Sequence, residues 1–416
     1  MQTIPFHHTP TRSSVRPPAR PIPTMIIGLG DPVTDVLHRA SRREIVTLLR
    51  DGCEGDDDAD DAGGGAAVEI GGCVPVDARR LQRILDAIGG DGGERVRVTP
   101  GGSAANVLKC IAKIRQCEVG DDDDDDDEDA CAFVGGVDAS DDVGIAYERA
   151  LRKAGVKPAL IWHKNDDKIG DGTTTTTVGS ARCLCLVDEH GQRTMRTYLG
   201  ASAQTRAEDL PVDVLKKAKV LHMEGYALYK PDVVRRACAI AKENGAMVSI
   251  DLASFEVVRN CRDALEEALK SGWIDVIFCN EDEARELVAV SDGALGNNNG
   301  RNAPRPSEEM ENEALEYLLR FVKVATCSRG KRGCVSMNRE GDKATSRAEG
   351  VDAIDTTGAG DTFTGAFLHA LLRGGTLQQC GDAGCAAAAQ VVQVRGAEMD
   401  ESRWEIIRDK LTRLVG

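Results

Sequence analysis

Strands and helices alternate regularly over the carboxy-terminal half of the chain, and this order constrains the fold more than any other feature. Strand-like apolar runs at 219–223, 246–250 and 274–278 are each followed by a helical stretch, and a further strand ends near Ser328. Alternation of strands and helices with short connections is typical of a parallel, doubly wound sheet with helices on both faces. We therefore predict an α/β fold, in which ligands bind at the carboxyl ends of the strands.

The amino-terminal half is less regular but follows the same pattern. An apolar run at 25–29 predicts the first strand, and apolar residues at helical spacing predict helices at 76–88 and 104–114. The segment 156–198 has a run of Thr and the turn residues expected between strands. Together these elements indicate one α/β domain at 25–416, preceded by a tail.

Two acidic tracts account for the negative charge of the protein. The formal net charge is −16, residues 51–61 contain seven acidic side chains, residues 121–129 contain nine, and neither tract has Lys or Arg. Such runs repel themselves and stay solvated, so we predict acidic or low-complexity insertions at 51–61, 119–129 and 291–307. The remainder shows no basic stripe, which argues against a nucleic-acid partner. No apolar run approaches the ~20 residues of a membrane helix, so we expect no membrane partner.

The cysteines and residues 1–24 indicate in which cellular compartment the protein is expected. The fourteen cysteines are scattered and form no Cys-x-x-Cys pair, which predicts reduced, buried thiols in a cytoplasmic protein. Residues 1–24 contain no acid, three Arg and several Pro, Ser and Thr. This composition fits a disordered tail or, as the alternative, a transit peptide for a plastid or mitochondrion.

A glycine-rich turn opens an apolar helix near the carboxyl terminus. The run at 355–361, Asp-Thr-Thr-Gly-Ala-Gly-Asp, leads into a helical stretch at about 359–373. Small residues let a ligand approach the backbone closely, and free N–H groups at a helix start favour an anion. A carboxylate beside such an anion hole, here Asp361, can take a proton from an attacking hydroxyl. The pattern indicates phosphoryl transfer, which depends mainly on positioning and charge stabilisation.

This run resembles, without a mismatch, the carboxy-terminal signature of the ribokinase-like (PfkB) family of carbohydrate and nucleoside kinases. The resemblance implies that Asp361 is the catalytic base and that the anion hole consists of Gly358, Ala359 and Gly360. It also implies a ribokinase-like three-layer α/β/α core with a doubly wound, mainly parallel sheet. A small β-rich lid would come from about 31–60 and 156–200.

Two further motifs would contact the substrate. Gly101 and Gly102 precede a helix that contains Asn106, whose amide can both donate and accept hydrogen bonds. A Gly pair before a helix is often an ordinary turn, but this run resembles the amino-terminal signature of the same family. Asp35 resembles the carboxylate with which the family binds substrate hydroxyl groups, and its alternative role is a turn or cap residue.

The nucleotide and the metal would be bound by two more motifs. Asn280 and Glu283 resemble the Asn-x-x-Glu of the family, which orders magnesium and phosphate, although this spacing is also typical of a helix capping box. Ser328, Gly330 and Gly333 resemble the nucleotide-binding loop, with a plain hairpin turn as the alternative.

Two stretches, 191–201 and 221–226, resemble the adenosine-kinase-like branch of the family. In that branch Arg193 would reach the transferring phosphate, and its alternative role is a solvated hairpin residue. Glu224 would contact the substrate or serve as a buried structural residue. His222 is predicted to be packed in the core.

The expected function is ATP-dependent phosphorylation of a hydroxyl group on a small nucleoside or sugar, with Mg²⁺ as cofactor. The leading substrate is an adenosine-like nucleoside with its 5′-hydroxyl as acceptor, and the alternatives are a ribokinase- or fructokinase-type sugar kinase or a catalytically idle structural member. Some relatives bind a monovalent cation such as K⁺, which Asp355 and Thr357 would hold, and Thr357 would also face the nucleotide. We expect a monomer or homodimer.

A dinucleotide-binding oxidoreductase is disfavoured. Its fingerprint needs a third Gly after the first strand, whereas Gly28-Leu29-Gly30 is followed here by Asp, Pro and Val.

Overall fold

The computed structural model describes residues 25–51, 70, 72–89, 96–116, 131–164, 179–191, 193–294 and 307–415. The predicted tail at 1–24 lies outside the described residues. So do nearly all of the predicted insertions at 51–61, 119–129 and 291–307.

The described residues form strands and helices along the whole chain. The strands, in chain order, are β1 Ile26–Leu29, β2 Thr34–Arg39, β3 Cys73–Pro75, β4 Val96–Pro100, β5 Cys131–Asp138, β6 Val156–His163, β7 Arg182–Val187, β8 Arg193–Tyr198, β9 Val220–Glu224, β10 Met247–Asp251, β11 Val276–Asn280, β12 Val324–Ser328, β13 Cys334–Asn338 and β14 Lys343–Ser346. The helices are α1 Arg42–Asp51, α2 Ala78–Ala87, α3 Ser103–Arg115, α4 Asp142–Lys153, α5 Val212–Leu215, α6 Pro231–Glu243, α7 Phe255–Asn260, α8 Arg262–Lys270, α9 Glu281–Ala294, α10 Ser307–Leu318, α11 Ala359–Leu372, α12 Leu377–Val391 and α13 Glu401–Val415. None of these helices combines the length and the apolar composition that a membrane crossing needs.

The large sheet has nine strands in the order β14-β13-β12-β11-β10-β9-β1-β5-β6. Neighbours from β12 to β6 run parallel, and β13 and β14 are added antiparallel at one edge. Strand order reverses beside β1, since β5 and β6 lie on one side of it and β9 to β12 on the other. This is the doubly wound, mainly parallel sheet that the sequence predicts.

Helices cover both faces of the large sheet and bury an apolar core on each. Alternate residues of a strand point to opposite faces. Accordingly Ile26 of β1 packs in the core formed with α3, α11, α12 and α13, whereas Ile27 and Leu29 pack in the core formed with α6 to α10. The three layers confirm the predicted α/β/α architecture.

A second, five-stranded sheet has the order β3-β8-β7-β2-β4. One face is covered by α1 and α2, where Val36, Leu184 and Leu186 meet apolar side chains such as Ile45 and Ile84. The opposite face is turned toward the carboxyl ends of the large-sheet strands.

The bounds of this small sheet differ from the predicted lid in two places. Residues 156–163 form β6, which pairs in parallel register with β5 and belongs to the large sheet. The reason is that β5, α4 and β6 form a continuous strand–helix–strand unit, which places the second strand beside the first. Conversely, β3 and β4 lie in the small sheet although they fall outside the predicted segments.

Candidate active site

A cavity of about 570 Å³ lies between the open face of the small sheet and the carboxyl ends of the large-sheet strands. Clefts of this size hold small ligands and cofactors. The predicted site residues that line it come from seven separate motifs, and they are Asp35, Gly102, Asn106, Arg193, Glu224, Asn280, Glu283, Ser328, Thr357, Gly358, Gly360 and Asp361. The structure therefore brings most of the predicted site together in one place.

Four predicted site residues do not line the cavity. Gly101 lies just before the N-cap of α3, Ala359 is the first residue of α11, and Gly330 and Gly333 form the turn between β12 and β13. Gly333 has φ +85°, and a Cβ placed on it would come within 1.9 Å of the Ser346 carbonyl oxygen, so this turn requires glycine. Their contribution is to shape the backbone, while Ser328 alone of this loop faces the cavity.

Asp361 lies in the first turn of α11. Gly358 caps this helix in the left-handed conformation, and a Cβ on it would lie 2.6 Å from the Cβ of Ala397. The N–H of Ala359 donates to the Thr356 carbonyl oxygen at 3.2 Å and closes the turn. Gly360 has open space where a side chain would point. The start of α11 therefore presents backbone to the cavity beside a carboxylate, as anion binding requires.

Two side chains of α3 hold the Asp361 carboxylate. The Ser103 hydroxyl donates to Oδ1 at 2.8 Å and the Asn106 amide donates to Oδ2 at 2.8 Å. Burial raises the pKa of Asp361, and these two hydrogen bonds, together with the positive charges of Arg193 and Lys109, act in the opposite direction. The carboxylate is thus oriented and kept ionisable.

Asp35 faces Asp361 from the small sheet. A Cβ on Gly101 would lie 2.0 Å from Asp35 Oδ2, so the carboxylate occupies the space that any other residue at position 101 would fill. Burial raises the pKa of Asp35 to about 7, Arg193 lowers it, and the negative charge of Asp361 raises it further. The glycine pair therefore has two functions in the fold: Gly101 leaves room for the Asp35 carboxylate, and Gly102 caps α3.

Glu224 ends β9 at the centre of the large sheet and is almost fully buried. Its carboxylate lies against Gly30, where a Cβ would come within 2.7 Å of Oε1. Burial, with the nearby Asp31 and Asp361, raises the pKa of Glu224 well above its ordinary value. Asp31 itself is engaged by the Lys230 ammonium at 2.6 Å. Glu224 is thus both buried and part of the cavity lining, and its contact with the substrate stays a prediction.

Three residues near the site carry no prediction from the sequence analysis. Ser103 holds Asp361, as described, and Lys109 lies one turn beyond Asn106 on α3, where it donates to the Pro100 carbonyl oxygen at 2.7 Å. Asp251 ends β10 and lines the cavity. A polar residue at the carboxyl end of a predicted strand is the signal that could have identified Asp251.

The Asn280–Glu283 pair forms a capping box at the start of α9. Asn280 Oδ1 accepts from the backbone N–H of Glu283 at 3.0 Å, and Glu283 Oε2 accepts from the backbone N–H of Asn280 at 2.8 Å. Both residues nevertheless line the cavity, beside Asp251. Burial raises the pKa of Glu283 well above normal and that of Asp251 to about 6. These carboxyl oxygens form a donor set that suits a hard divalent cation, which would relieve the cost of their charges.

Both carboxylate oxygens of Asp355, in the turn before α11, accept hydrogen bonds from other groups of the protein. Its Oδ1 accepts from the Thr357 backbone N–H at 2.9 Å and from the Thr357 hydroxyl at 2.7 Å, and its Oδ2 accepts from the Gly396 N–H at 3.0 Å. Burial alone would raise the pKa of Asp355, but these hydrogen bonds and Arg193 hold it below its usual value. Asp355 therefore fixes the turn that carries the anion site.

His222 is fully buried, and its Nδ1 lies 2.9 Å from the Ser249 hydroxyl. It is absent from the cavity wall and packs in the core, as its sequence context predicts.

A doubly wound sheet, a helix start open to an anion and a carboxylate facing a second carboxylate across one cavity together define a kinase of small molecules. The chain belongs to the pfkB family of carbohydrate kinases, whose profile it matches over residues 68–403. Kinases of this family act on small sugars or nucleosides, with ATP and usually Mg²⁺. A curated relative is probable fructokinase-5 of Arabidopsis thaliana, which is 27% identical over 287 residues, 67% of this chain and 75% of the relative.

Solved structures show the same fold. A probable sugar kinase from Rhizobium etli CFN 42 superposes with a TM-score of 0.72 at 24% identity, over 95% of this chain and 100% of that one. An adenosine kinase from Sinorhizobium meliloti superposes with a TM-score of 0.72 at 24% identity, over 93% of this chain and 99% of that one. These likenesses establish the architecture and leave the substrate to the site itself.

Proposed function

We propose that this kinase transfers the γ-phosphoryl group of ATP to the 5′-hydroxyl of an adenosine-like nucleoside, with Asp361 as general base. Asp361 takes the proton of the acceptor hydroxyl as that oxygen attacks phosphorus. The backbone at Gly358, Ala359 and Gly360 receives the transferring phosphoryl group at the amino terminus of α11. Asp35 accepts hydrogen bonds from the acceptor. Arg193, whose charge lowers the pKa of both carboxyl groups, reaches the transferring phosphoryl group.

The observation that carries this proposal is the pair of hydrogen bonds that orients the Asp361 carboxylate. Ser103 and Asn106 hold both carboxylate oxygens at 2.8 Å while the group remains part of the cavity wall. A purely structural carboxylate would have no need to face a cavity of ligand size. Orientation by two donors is what a base requires in order to meet one hydroxyl group of a bound substrate.

The wall beyond Asp35 favours a nucleoside over a free sugar. Met195, Leu199, Tyr226 and Pro75 line the cavity on the side of the small sheet. A flat heteroaromatic base buries apolar surface against such residues, whereas a free sugar would leave them without a partner. A sugar kinase of the ribokinase or fructokinase type is the second candidate, because the curated relative quoted above is a probable fructokinase.

The remaining parts of the proposal concern cofactors and context. Glu283, Asp251 and Asn280 would hold Mg²⁺, which supplies positive charge to the phosphates. Ser328 would contact the nucleotide, with Gly330 and Gly333 shaping its loop. A monovalent cation would bind at Asp355 and Thr357. We further propose that the protein is cytoplasmic. We also propose that it is a monomer or homodimer, which light scattering of the purified protein would test.

Replacement of the base tests the mechanism. We expect Asp361→Asn to lower kcat by about 10²- to 10⁴-fold, because the amide cannot accept the proton, while binding of ATP is retained. Asp352→Asn is the matched control, since Asp352 lies nearby on the exposed surface. Turnover of ATP to ADP with Mg²⁺ measures both. Undiminished turnover in Asp361→Asn would remove Asp361 as base.

A panel of nucleosides, pentoses and hexoses tests the substrate. We expect adenosine or a close analogue to stimulate turnover most. Stimulation by a free sugar alone would replace the nucleoside by the sugar candidate and leave the mechanism in place. Binding of ATP without stimulation by any member would favour a catalytically idle protein.

A further inference from the structure

The open face of the small sheet carries two thiols and a carboxylate side by side. Cys183 and Cys185 are two residues apart in β7, so their side chains point to the same face. Asp35 lies in β2 directly opposite Cys183 in the parallel register. The two sulfur atoms are 3.6 Å apart, and they and the carboxylate oxygen all lie within 4.8 Å of one another. Among the described residues, this is the one group of His, Cys, Asp and Glu side chains that meets this geometry.

These separations match the bond geometry of a tetrahedral metal. Zinc binds thiolate sulfur at about 2.3 Å, so two sulfurs of one tetrahedral ion stand roughly 3.8 Å apart. The observed sulfur separation therefore needs almost no adjustment. The carboxylate oxygen lies within 4.8 Å of both sulfur atoms, and rotation of the Asp35 side chain about its rotatable bonds is the adjustment that coordination would need.

We propose that Cys183, Cys185 and Asp35 form a site for a thiophilic divalent cation such as Zn²⁺. Two thiolates and one carboxylate are a ligand set that selects zinc-like ions over Mg²⁺. Three protein ligands leave the fourth position of the metal open toward the cavity. The three anionic ligands and the dication sum to one negative charge, which the guanidinium of Arg193 is placed to balance.

A neighbouring hydroxyl group supports the first ligand. The Thr197 hydroxyl donates to the Cys183 sulfur at 3.2 Å, and Cys73 lies 3.3 Å from the same hydroxyl oxygen. Hydrogen bonds from such neighbours orient metal ligands and stabilise the bound form. Binding of the cation releases the thiol protons of both cysteines, as zinc does when it binds cysteine.

The site occupies the place assigned above to the acceptor. Asp35 would be a ligand of the metal and therefore unavailable to substrate hydroxyl groups. Zinc would then inhibit turnover by competing with the acceptor and not with MgATP. Only this competition rests on the proposed function, because metal binding is measured on the protein without substrates.

Titration with Co²⁺, a spectroscopic stand-in for zinc, tests the site on the full-length, reduced protein. We expect one equivalent to bind with tetrahedral d–d bands and a sulfur-to-cobalt charge-transfer band, both removed by Zn²⁺. Cys183→Ser with Cys185→Ser should abolish the charge-transfer band. The matched control is Cys334→Ser with Cys385→Ser, another contacting pair of buried thiols, which belongs to no group of three such ligands among the described residues.

The outcomes separate cleanly. A missing charge-transfer band in the unsubstituted protein, or an unchanged band in the Cys183/Cys185 variant, would overturn the site. So would loss of the band in a folded Cys334/Cys385 variant. Each single Cys→Ser variant should halve the charge-transfer intensity, and Asp35→Asn should weaken binding while that band persists, which keeps the test valid if the double variant does not fold. Binding without acceptor-competitive inhibition would leave the site standing and count against the acceptor position proposed above.

Discussion

Carboxyl groups dominate the chemistry of the cavity at the scale of single residues. Asp35, Asp251, Glu224, Glu283 and Asp361 all line it, and burial is the first cause that raises the pKa of each. Such groups lose free energy when ionised without a partner. A divalent cation, or a hydroxyl-rich ligand that donates hydrogen bonds, would stabilise the ionised carboxylates in place of the water that burial excludes. The cavity is therefore suited to ligands of that kind.

His222 provides a residue-scale prediction about acid stability. Burial lowers its pKa from 6.5 to about 3, so the folded protein holds the neutral form. Because the unfolded chain binds the proton more readily, stability is complete above about pH 6.5 and falls by up to roughly 1.4 kcal/mol per pH unit as the pH decreases toward 3. His222→Gln removes this titration and keeps a partner for Ser249.

Chemical unfolding at several pH values between 7 and 4.5 measures the effect. We expect the free energy of unfolding to depend less steeply on pH in His222→Gln than in His190→Gln, which alters an exposed histidine. Equal slopes in the two variants would show that His222 contributes nothing to the acid limb.

At the scale of elements, the site depends on how closely α3 approaches α11. Gly365 of α11 faces α3, and a Cβ on it would lie 2.8 Å from the Cys110 Cβ and 3.0 Å from the Val107 carbonyl oxygen. The same two helices carry Asn106 and Asp361. Their hydrogen bond therefore relies on the absence of a side chain one turn farther along α11.

Gly365→Ala tests this dependence. The added methyl group forces the helices apart, and we expect a loss of about 1–3 kcal/mol in unfolding free energy together with lower turnover. Gly350→Ala is the control, because Gly350 is exposed and has open space around it. Thermal unfolding and turnover are measured on both variants. Normal turnover in a destabilised Gly365→Ala variant would show that the close packing of α3 and α11 stabilises the fold but is not needed to align Asp361.

Elements with strong periodicity were predictable from the sequence, and short elements were not. The alternation over 219–328 and the helix after Asp361 were predicted because each apolar run is long enough to fix its period. Helix α1 and strand β3 were missed because they flank the acidic tract at 51–61 and are short or strongly charged. Three residues of β3 gain their conformation from pairing with β8, which no local pattern encodes.

At the scale of the whole molecule, the cavity is shared by two sheets with separate cores. The small sheet packs on α1 and α2, and the large sheet packs on the helices of its two faces. Asp35 belongs to the first and Asp361 to the second. A ligand that touches both carboxylates therefore joins two bodies that otherwise have their own apolar cores.

Amide hydrogen exchange tests this linkage. We expect the acceptor that supports turnover to slow exchange in β7 and β8, since it bridges to the small sheet, whereas MgATP alone should slow exchange mainly at 328–333. Strand β10, in the centre of the large sheet, serves as internal reference. Equal protection of β7 and β8 by MgATP alone would contradict the proposal that the acceptor binds at Asp35 of the small sheet and the nucleotide at Ser328 of the large sheet.

The sequence located the motifs of the site better than their partners. Asp361 and the glycines before it carry a recognisable spacing, so their position was predictable. The contact of Asn106 with Asp361 was not, because 255 residues separate them along the chain and only the packing of two helices joins them. Likewise, Cys183 and Cys185 gain significance only once β2 pairs with β7 and places Asp35 beside them.

The contact between Gly101 and Asp35 has an evolutionary consequence. Since the Asp35 carboxylate fills the space of a side chain at position 101, position 101 can gain a side chain only if Asp35 moves or is shortened. We expect a descendant that acquires Ala at 101 to replace Asp35 by a shorter residue as well, and such a descendant would lose the proposed carboxylate partner of the substrate. The two positions should therefore covary across descendants of this chain, and a change of substrate is expected to begin at position 35.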